Sequence, residues 1–379
     1  MWRYRGYEVR TLKSTHLKSE TVKSDFAWIA LGSVAPDRKE LGNMKALLLE
    51  GPNRLQLREL GRPSLSQGQV RVRVRNVGVC GSDYSSIAGK LSLTRYPIVP
   101  GHEASGEVIE SLGKTTWKPG DRVLIHPILV DRSDPHFARG DLHHSVSTEV
   151  LGVITRNGAY AQEVVVEDYM LRPMPADLDY ESAAMVEPVA VAVRAVTQGA
   201  LHKGDRALVL GAGNIGLLVI QVSRVFGADR VVVTDLVKSR LDLALKLGAD
   251  EAISVKNGFP RDALEGRFDV VIDGIGSNET VLDGLAACDR GRRIVVYGVP
   301  EGVVNYPLKV AYSNDVTLAI SRLYNSNFDL PLKLVAERKV RVKDIITHRV
   351  RLDEAPALIH RILSREEEAI KVMISPSQD

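Results

Sequence analysis

The sequence predicts an α/β protein in two parts, a β-rich antiparallel half followed by an open, doubly wound parallel sheet. Two patterns carry this. Over residues 69–74, Val70, Val72 and Val74 alternate with Arg71, Arg73 and Arg75, the period-2 signature of a strand with one wet face. Beyond about residue 196, short Val/Ile-rich runs alternate with helical stretches, the grammar of βαβ units around a parallel sheet covered on both faces. The size agrees: 379 residues suit two or three domains of ~100–200 residues each. A hydrophobic share of 44% is ample for a packed core.

The elements follow in chain order. Residues 1–43 carry scattered charges and hydroxyls with no sustained period, and no apolar core follows the early arginines as a secretory signal requires. Glu8, Glu20, Asp25, Asp37 and Glu40 argue against an acid-poor transit peptide. The expectation is a non-functional extension upstream of a start at Met44. Strands are expected at 45–49 and 69–74, punctuated by turns at Gly51-Pro52, Pro97, Pro100-Gly101 and Pro119-Gly120. Then come a strand at 206–210, a helix at 214–226, a strand at 230–234 and a helix at 236–247. A strand at 268–272, a helix at 279–287 and a strand at 293–297 complete the parallel part. The last ~55 residues return to mixed strand and helix and are expected to rejoin the first part. The expected domains are 44–196 completed by 326–379, and 197–325 between them.

Composition excludes several classes. Cys80 and Cys288 are the two cysteines, too few for a disulfide framework or a cysteine-rich structural zinc site. No apolar run approaches the ~20 residues that cross a bilayer; the longest, 183–195, is broken by Glu187 and Pro188. The expectation is a cytoplasmic protein without membrane contact. The net charge of +3 resides in residues 1–43, which hold eight basic and five acidic residues. The remainder is formally neutral and gives no electrostatic case for nucleic acid.

Two constellations carry chemistry. Gly211-Ala212-Gly213-Asn214-Ile215-Gly216 follows a predicted strand and opens a predicted helix, the context a dinucleotide fingerprint requires. Gly211 permits the tight turn, Gly213 lets the backbone approach a pyrophosphate, and Gly216 lets helix and strand pack closely. Amides at the start of the helix, Asn214 and Ile215 among them, favour phosphate. Asp235, nineteen residues after Gly216, can accept both ribose hydroxyls and repels a 2′-phosphate, favouring NAD over NADP. Lys238 and Arg240 lie close enough to soften that preference. Gly274 and Gly298, after the strands at 268–272 and 293–297, are also assigned to the cofactor side.

Upstream stand Cys80-Gly81-Ser82-Asp83, Gly101-His102-Glu103 and Glu187-Pro188. Thiolate, imidazole and carboxylate are competent zinc ligands, and a catalytic zinc takes three protein ligands and an open position. Singly, each has a bland reading as a buried cysteine or a structural histidine. Together, ahead of a dinucleotide motif, they point to a metal enzyme.

At these residues, with Gly120-Asp121-Arg122-Val123 and Thr347-His348-Arg349, the chain from Met44 onward resembles the zinc-dependent medium-chain dehydrogenases, most closely their sorbitol (polyol) branch. Glu103, Glu187-Pro188 and the stretch Ser321-Arg322-Leu323-Tyr324-Asn325 carry that closer likeness. The resemblance implies a GroES-like β-barrel catalytic domain plus a Rossmann domain with its doubly wound parallel sheet. It also implies one catalytic zinc on Cys80, His102 and Glu103, with Glu187 binding directly or through water. Ser82 is implied to sit against the substrate hydroxyl and to pass its proton towards the nicotinamide ribose and solvent, while hydride goes to NAD. Tyr84 and Arg322 are expected to line the site of a polyhydroxylated secondary alcohol. A homo-oligomer, tetramer or dimer, is a further implication.

The chain departs from the family at two points. Ser85 stands where many relatives place a proton-carrying histidine, and residues 131–151 lack the four cysteines of a structural zinc, so none is expected. That stretch holds Asp134, His136, Asp141, His143 and His144; a second, non-cysteine metal site is open there, a solvated loop being the simpler reading. His126 reads as pocket lining, His348 as a turn residue, His360 as a helix face, and Cys288 as packing at the end of the helix at 279–287. Competing classes are a zinc-free quinone or enone reductase, which lacks these ligands, and a non-catalytic protein, which would bury thiolate and carboxylate uncompensated. Another zinc branch, acting on threonine-type amino alcohols, aminocyclitols or aldoses, shares the same metal and cofactor.

Overall fold

A computed structural model of the chain describes residues 42–299, 302–326 and 328–377; most of the extension at 1–43 lies outside them. The amino-terminal half is built on a seven-stranded sheet. Its strands run Ile346–Arg351, Lys371–Ser375, Gln69–Gly78, Glu103–Ser111, Arg122–Ile125 and Leu171–Pro173 in spatial order, with Glu163–Glu167 also paired to Gln69–Gly78. The two carboxyl-terminal strands thus return to the sheet that opened the fold. Lys371–Ser375 pairs antiparallel with Gln69–Gly78 through Met373 opposite Gly78 and Ile374 opposite Val77.

Alternation along Gln69–Gly78 is only partly the wet-face pattern it promised. Val70, Val72 and Val74 are buried, but so is Arg71. The strand lies inside the sheet with neighbours on both sides, so the arginine is enclosed and must be neutralised. Its guanidinium reaches Glu110 at 3.0 Å and the Pro63 carbonyl at 2.7 Å.

The second half is a six-stranded parallel sheet in the order Glu251–Ser254, Arg230–Asp235, Arg206–Leu210, Phe268–Asp273, Cys288–Val296, Thr317–Ile320. In sequence rank this is 3-2-1-4-5-6, whose switch point, between Arg206–Leu210 and Phe268–Asp273, is where such sheets bind dinucleotides. Strand residues such as Val209, Val233, Val271 and Ile272 are fully enclosed, as a sheet covered by helices on both faces demands. The helices Asn214–Val225, Lys238–Lys246 and Asn278–Ala287 match the predicted periods to within two residues. Cys288 caps the last helix, buried in the core as expected, but the next strand starts there rather than at residue 293. His348 belongs to the strand Ile346–Arg351 rather than a turn. Among the described residues no helix is long and apolar enough to cross a membrane.

Candidate functional site

The sheet register builds the first site. Gly78 lies opposite both Glu103 and Met373. Continuing that antiparallel register by two residues sets Lys371 level with Cys80, immediately beyond the strand. Gly78 also makes room, because a Cβ there would collide with the Glu103 carboxylate. The chain then turns into the helix Gly81–Ile87 with Cys80 as its N-cap, where the positive end of the helix favours a thiolate.

One ligand atom each from Cys80, His102 and Glu103 lies within 4.8 Å of the others. His102 is 4% and Glu103 0% exposed. Glu103 Oε2 is paired with the Lys371 ammonium, itself buried, which also donates to the Val79 carbonyl at 3.0 Å. Glu103 Oε1 is buried with no hydrogen-bond partner. An enclosed carboxylate oxygen facing a thiol and an imidazole without a donor is costly unless a cation sits among them. The donor set therefore fits zinc.

Asp83 orders the surrounding shell. Its Oδ2 accepts from the Cys80 amide at 2.9 Å and the Tyr160 hydroxyl at 2.8 Å, and its Oδ1 stands 3.6 Å from His102 Nδ1. That side of the imidazole faces the carboxylate, which leaves Nε2 for the cluster, the arrangement that orients metal-binding histidines. Burial alone would push His102 down, but Asp83 and the Cys80 sulfur outweigh it and its pKa stands well above the ordinary value. Asp83 itself is pushed up by burial. Tyr84 is raised by burial and by the charges of Asp83, Glu103 and Cys80, so it stands among them. Ser82 is half-buried on the first turn of the helix.

Glu187 opens the helix Val186–Gln198 and is buried. It is outside the three-donor cluster but close enough for its charge to act on His102. Burial and the charge of Glu103 push its own pKa up. Tyr324, fully enclosed, is raised by burial and by Glu187. His126 packs on Tyr324 and Phe328 with ring centroids at 5.6 and 4.7 Å. Burial, then Arg172, lowers it to about 3, so it is a neutral wall. Arg322 is exposed and donates to the His143 carbonyl, which ties its loop to the lobe at 131–151.

The second site lies where Arg206–Leu210 ends. Gly211 takes a φ of 97°, a conformation that favours glycine, and a Cβ on Gly216 would collide with the Gly211 carbonyl oxygen. At Gly213 a Cβ would meet nothing within 4 Å, so the protein itself leaves this cradle open at the start of the helix bearing Asn214 and Ile215. Asp235 is buried with Oδ2 accepting from Ala212 N and Oδ1 from Val237 N, both at 2.8 Å. Each oxygen keeps a lone pair for a ribose hydroxyl. Gly274 and Gly298 bring two strand ends together: a Cβ on Gly274 would strike the Tyr297 hydroxyl, and one on Gly298 the Ile275 backbone. Arg240 is half-buried on the helix Lys238–Lys246 beyond Asp235.

Sequence reasoning missed Lys371 and Tyr160. Lys371 was legible as the one charge in Ile370–Ile374, an otherwise apolar strand run. Tyr160 gave no signal beyond a single aromatic.

The chain is similar to known proteins. The family model described as an alcohol dehydrogenase GroES-like domain matches residues 66–177, and that described as zinc-binding dehydrogenase matches 214–337. Sorbitol dehydrogenase of Homo sapiens is 30% identical over 327 residues, 83% of this chain and 91% of the relative. D-xylulose reductase of Saccharomyces cerevisiae is 28% identical over 83% of this chain and 93% of its own length. The crystal structure of 2R,3R-butanediol dehydrogenase from Bacillus subtilis superposes with a TM-score of 0.82 at 26% identity, covering 88% of this chain and 100% of that one.

Proposed function

The chain belongs to the zinc-dependent medium-chain alcohol dehydrogenases, and from that premise we propose that it oxidises a secondary alcohol of a polyol, cyclitol or sugar-like substrate to a ketone with NAD. The observation that carries this is the cluster of half-buried Cys80 with buried His102 and Glu103, with its unpartnered Glu103 oxygen. These three residues would hold the zinc, with Glu187 beside them. Zinc bound there supplies Lewis-acid polarisation of the substrate hydroxyl.

The chain's own groups do the rest. Asp83 and Lys371 hold His102 and Glu103 in place from behind. Ser82, two residues after Cys80, takes the hydroxyl proton. Ser85 donates to the Gly81 carbonyl at 3.2 Å, which leaves its oxygen lone pairs to receive a proton or a water on the way out. Tyr84 and Arg322 supply polar contacts suited to several hydroxyls. His126, Tyr324 and Phe328 form a dry wall on the Glu187 side. The Gly211–Gly216 turn cradles the pyrophosphate, Asp235 binds the adenosine ribose, and Gly274 and Gly298 keep the sheet's carboxyl edge open to the nicotinamide half. The carbinol C–H leaves as hydride with both electrons to form NADH, and the hydroxyl proton leaves through Ser82 to solvent, which gives the ketone. In this reading residues 44–196 with 326–379 form the catalytic domain and 197–325 the cofactor domain.

The test is a panel of polyols, cyclitols, aldoses and threonine, each with NAD and with NADP, followed by reduced-cofactor absorbance. Turnover of polyols with NAD is expected. Exclusive use of threonine or of NADP overturns the substrate or cofactor assignment.

A further inference from the structure

We propose that His136, Asp141 and His144 form a second divalent-metal site that takes a zinc-like ion on two imidazoles and a carboxylate. They sit in the lobe at 131–151, away from the Cys80 cluster. One ligand atom from each lies within 4.8 Å of the others. The Asp141 carboxylate is the hub: Oδ1 is 3.1 Å from His136 Nδ1, and Oδ2 is 3.5 Å from His144 Nδ1. Ligand–metal bonds of 2.0–2.1 Å in a tetrahedron put neighbouring donors about 3.3 Å apart, close to the 3.1 Å between His136 Nδ1 and Asp141 Oδ1.

The frame is made in advance. His136 is on the first turn of the short helix Pro135–Arg139, Gly140 reverses the chain at φ 71°, and Leu142–His144 forms one 3-10 turn. Asp134 accepts from the His136 amide at 2.8 Å and the Ser145 hydroxyl at 2.6 Å, and Thr148 donates to the Leu142 carbonyl at 2.6 Å. These bonds fix both ends of the ligand-bearing segment. The three side chains are 28%, 32% and 55% exposed, so an ion can enter and retain water as a further ligand.

A cationic group already occupies this position. Arg139 brings one guanidinium nitrogen 2.9 Å from His136 Nδ1 and another 3.5 Å from Asp141. His136 Nδ1 is thereby offered to a donor and to a carboxylate at once, and one nitrogen cannot both accept from the first and donate to the second. A metal ion removes that conflict, since it takes the lone pairs of all three residues. Arg139 is 57% exposed and can swing into solvent. The lobe also touches the segment at 322–326: His143, whose ring lies 3.9 Å from that of His144 at 44°, gives its carbonyl to Arg322, and the Leu142 amide reaches the Ser326 hydroxyl at 3.4 Å. An ion on His144 would therefore brace the loop that carries Arg322 and Tyr324.

The experiment is a Co2+ titration of the full-length apo-protein, read by elemental analysis and visible absorption. The Cys80 site gives a thiolate-to-cobalt charge-transfer band, and a nitrogen–oxygen site gives none. Wild type is expected to bind two equivalents, only one with the band. Asp141→Asn and His144→Gln should each keep the banded equivalent and lose the other. Arg139→Ala should bind the unbanded equivalent at least tenfold more tightly, and Cys80→Ala should retain it alone. A single, banded equivalent in wild type overturns the proposal, as does an unbanded one that persists in a folded Asp141→Asn/His144→Gln double variant. Neither outcome touches the Cys80 assignment, which the band reports separately.

Discussion

The two halves of the catalytic apparatus are assembled in opposite ways. The dinucleotide cradle is local: six consecutive residues, Gly211–Gly216, and one carboxylate on the neighbouring strand are fixed by short-range backbone geometry. The metal cluster is non-local. Cys80 meets His102 and Glu103 because Gln69–Gly78 pairs with Glu103–Ser111, and Lys371 reaches Glu103 because the carboxyl-terminal strand returns on the other side of Gln69–Gly78. A local site survives small shifts of the fold, whereas a non-local site reports on the sheet register itself.

That contrast can be broken most forcefully at Lys371. Lys371→Met leaves the buried Glu103 carboxylate without its cation, which should cost about 3–5 kcal/mol in denaturant-induced unfolding of the metal-free protein. Added zinc should recover part of the loss. A metal-free variant as stable as wild type would show that the ion pair contributes nothing. Next comes Asp83→Asn, which removes the charge facing His102; metal affinity in a chelator competition should fall by ~10–100-fold, with NAD binding unchanged.

The local half should respond differently. Asp235→Ser removes the acceptor that excludes a 2′-phosphate, and the ratio of NAD to NADP turnover should drop by about tenfold while zinc content stays constant. A loss of zinc in that variant would mean that the halves are not independent.

Acid sharpens the comparison further. Among the described residues, the buried histidines outside the metal cluster, His126 and His143, both lie in the amino-terminal half, while His202 of the parallel-sheet half is 80% exposed. Burial first, then nearby arginines, holds His126 at about 3 and His143 at about 4. Between those values and the ordinary ~6.5 the unfolded chain binds more protons than the folded one. Stability should therefore fall as pH drops through that window, by up to ~1.4 kcal/mol per unit for each group. Hydrogen exchange at pH 4.5 against pH 7 should show the barrel half opening first. Uniform opening would contradict the asymmetry.

What the sequence made legible follows the same division. The inner part of the parallel sheet could be read because Arg206–Leu210, Arg230–Asp235 and Phe268–Asp273 are short apolar runs, whereas the edge strands Glu251–Ser254 and Thr317–Ile320, each paired on one side only, were not expected. One boundary was missed at a junction: the strand expected from residue 293 begins at Cys288, because the polar run Asp289-Arg290-Gly291-Arg292 gives no apolar strand signal. The alternation at residues 69–74 misled about exposure, because a strand's period reports its two faces and not how many neighbours cover them, hence the buried Arg71. The three donors that the fold brings together were legible as motifs. The partner that balances their charge was not, because Lys371 is 268 residues from Glu103 and only the register joins them.

The most direct test of the central assignment is to measure zinc content and polyol-dependent NADH formation in one preparation each of wild type and Cys80→Ala. The account predicts that the Cys80→Ala protein remains folded, still binds NAD, loses the Cys80-bound zinc and turns over no faster than an enzyme-free control. Wild-type turnover in a Cys80→Ala protein without zinc at that site would contradict it.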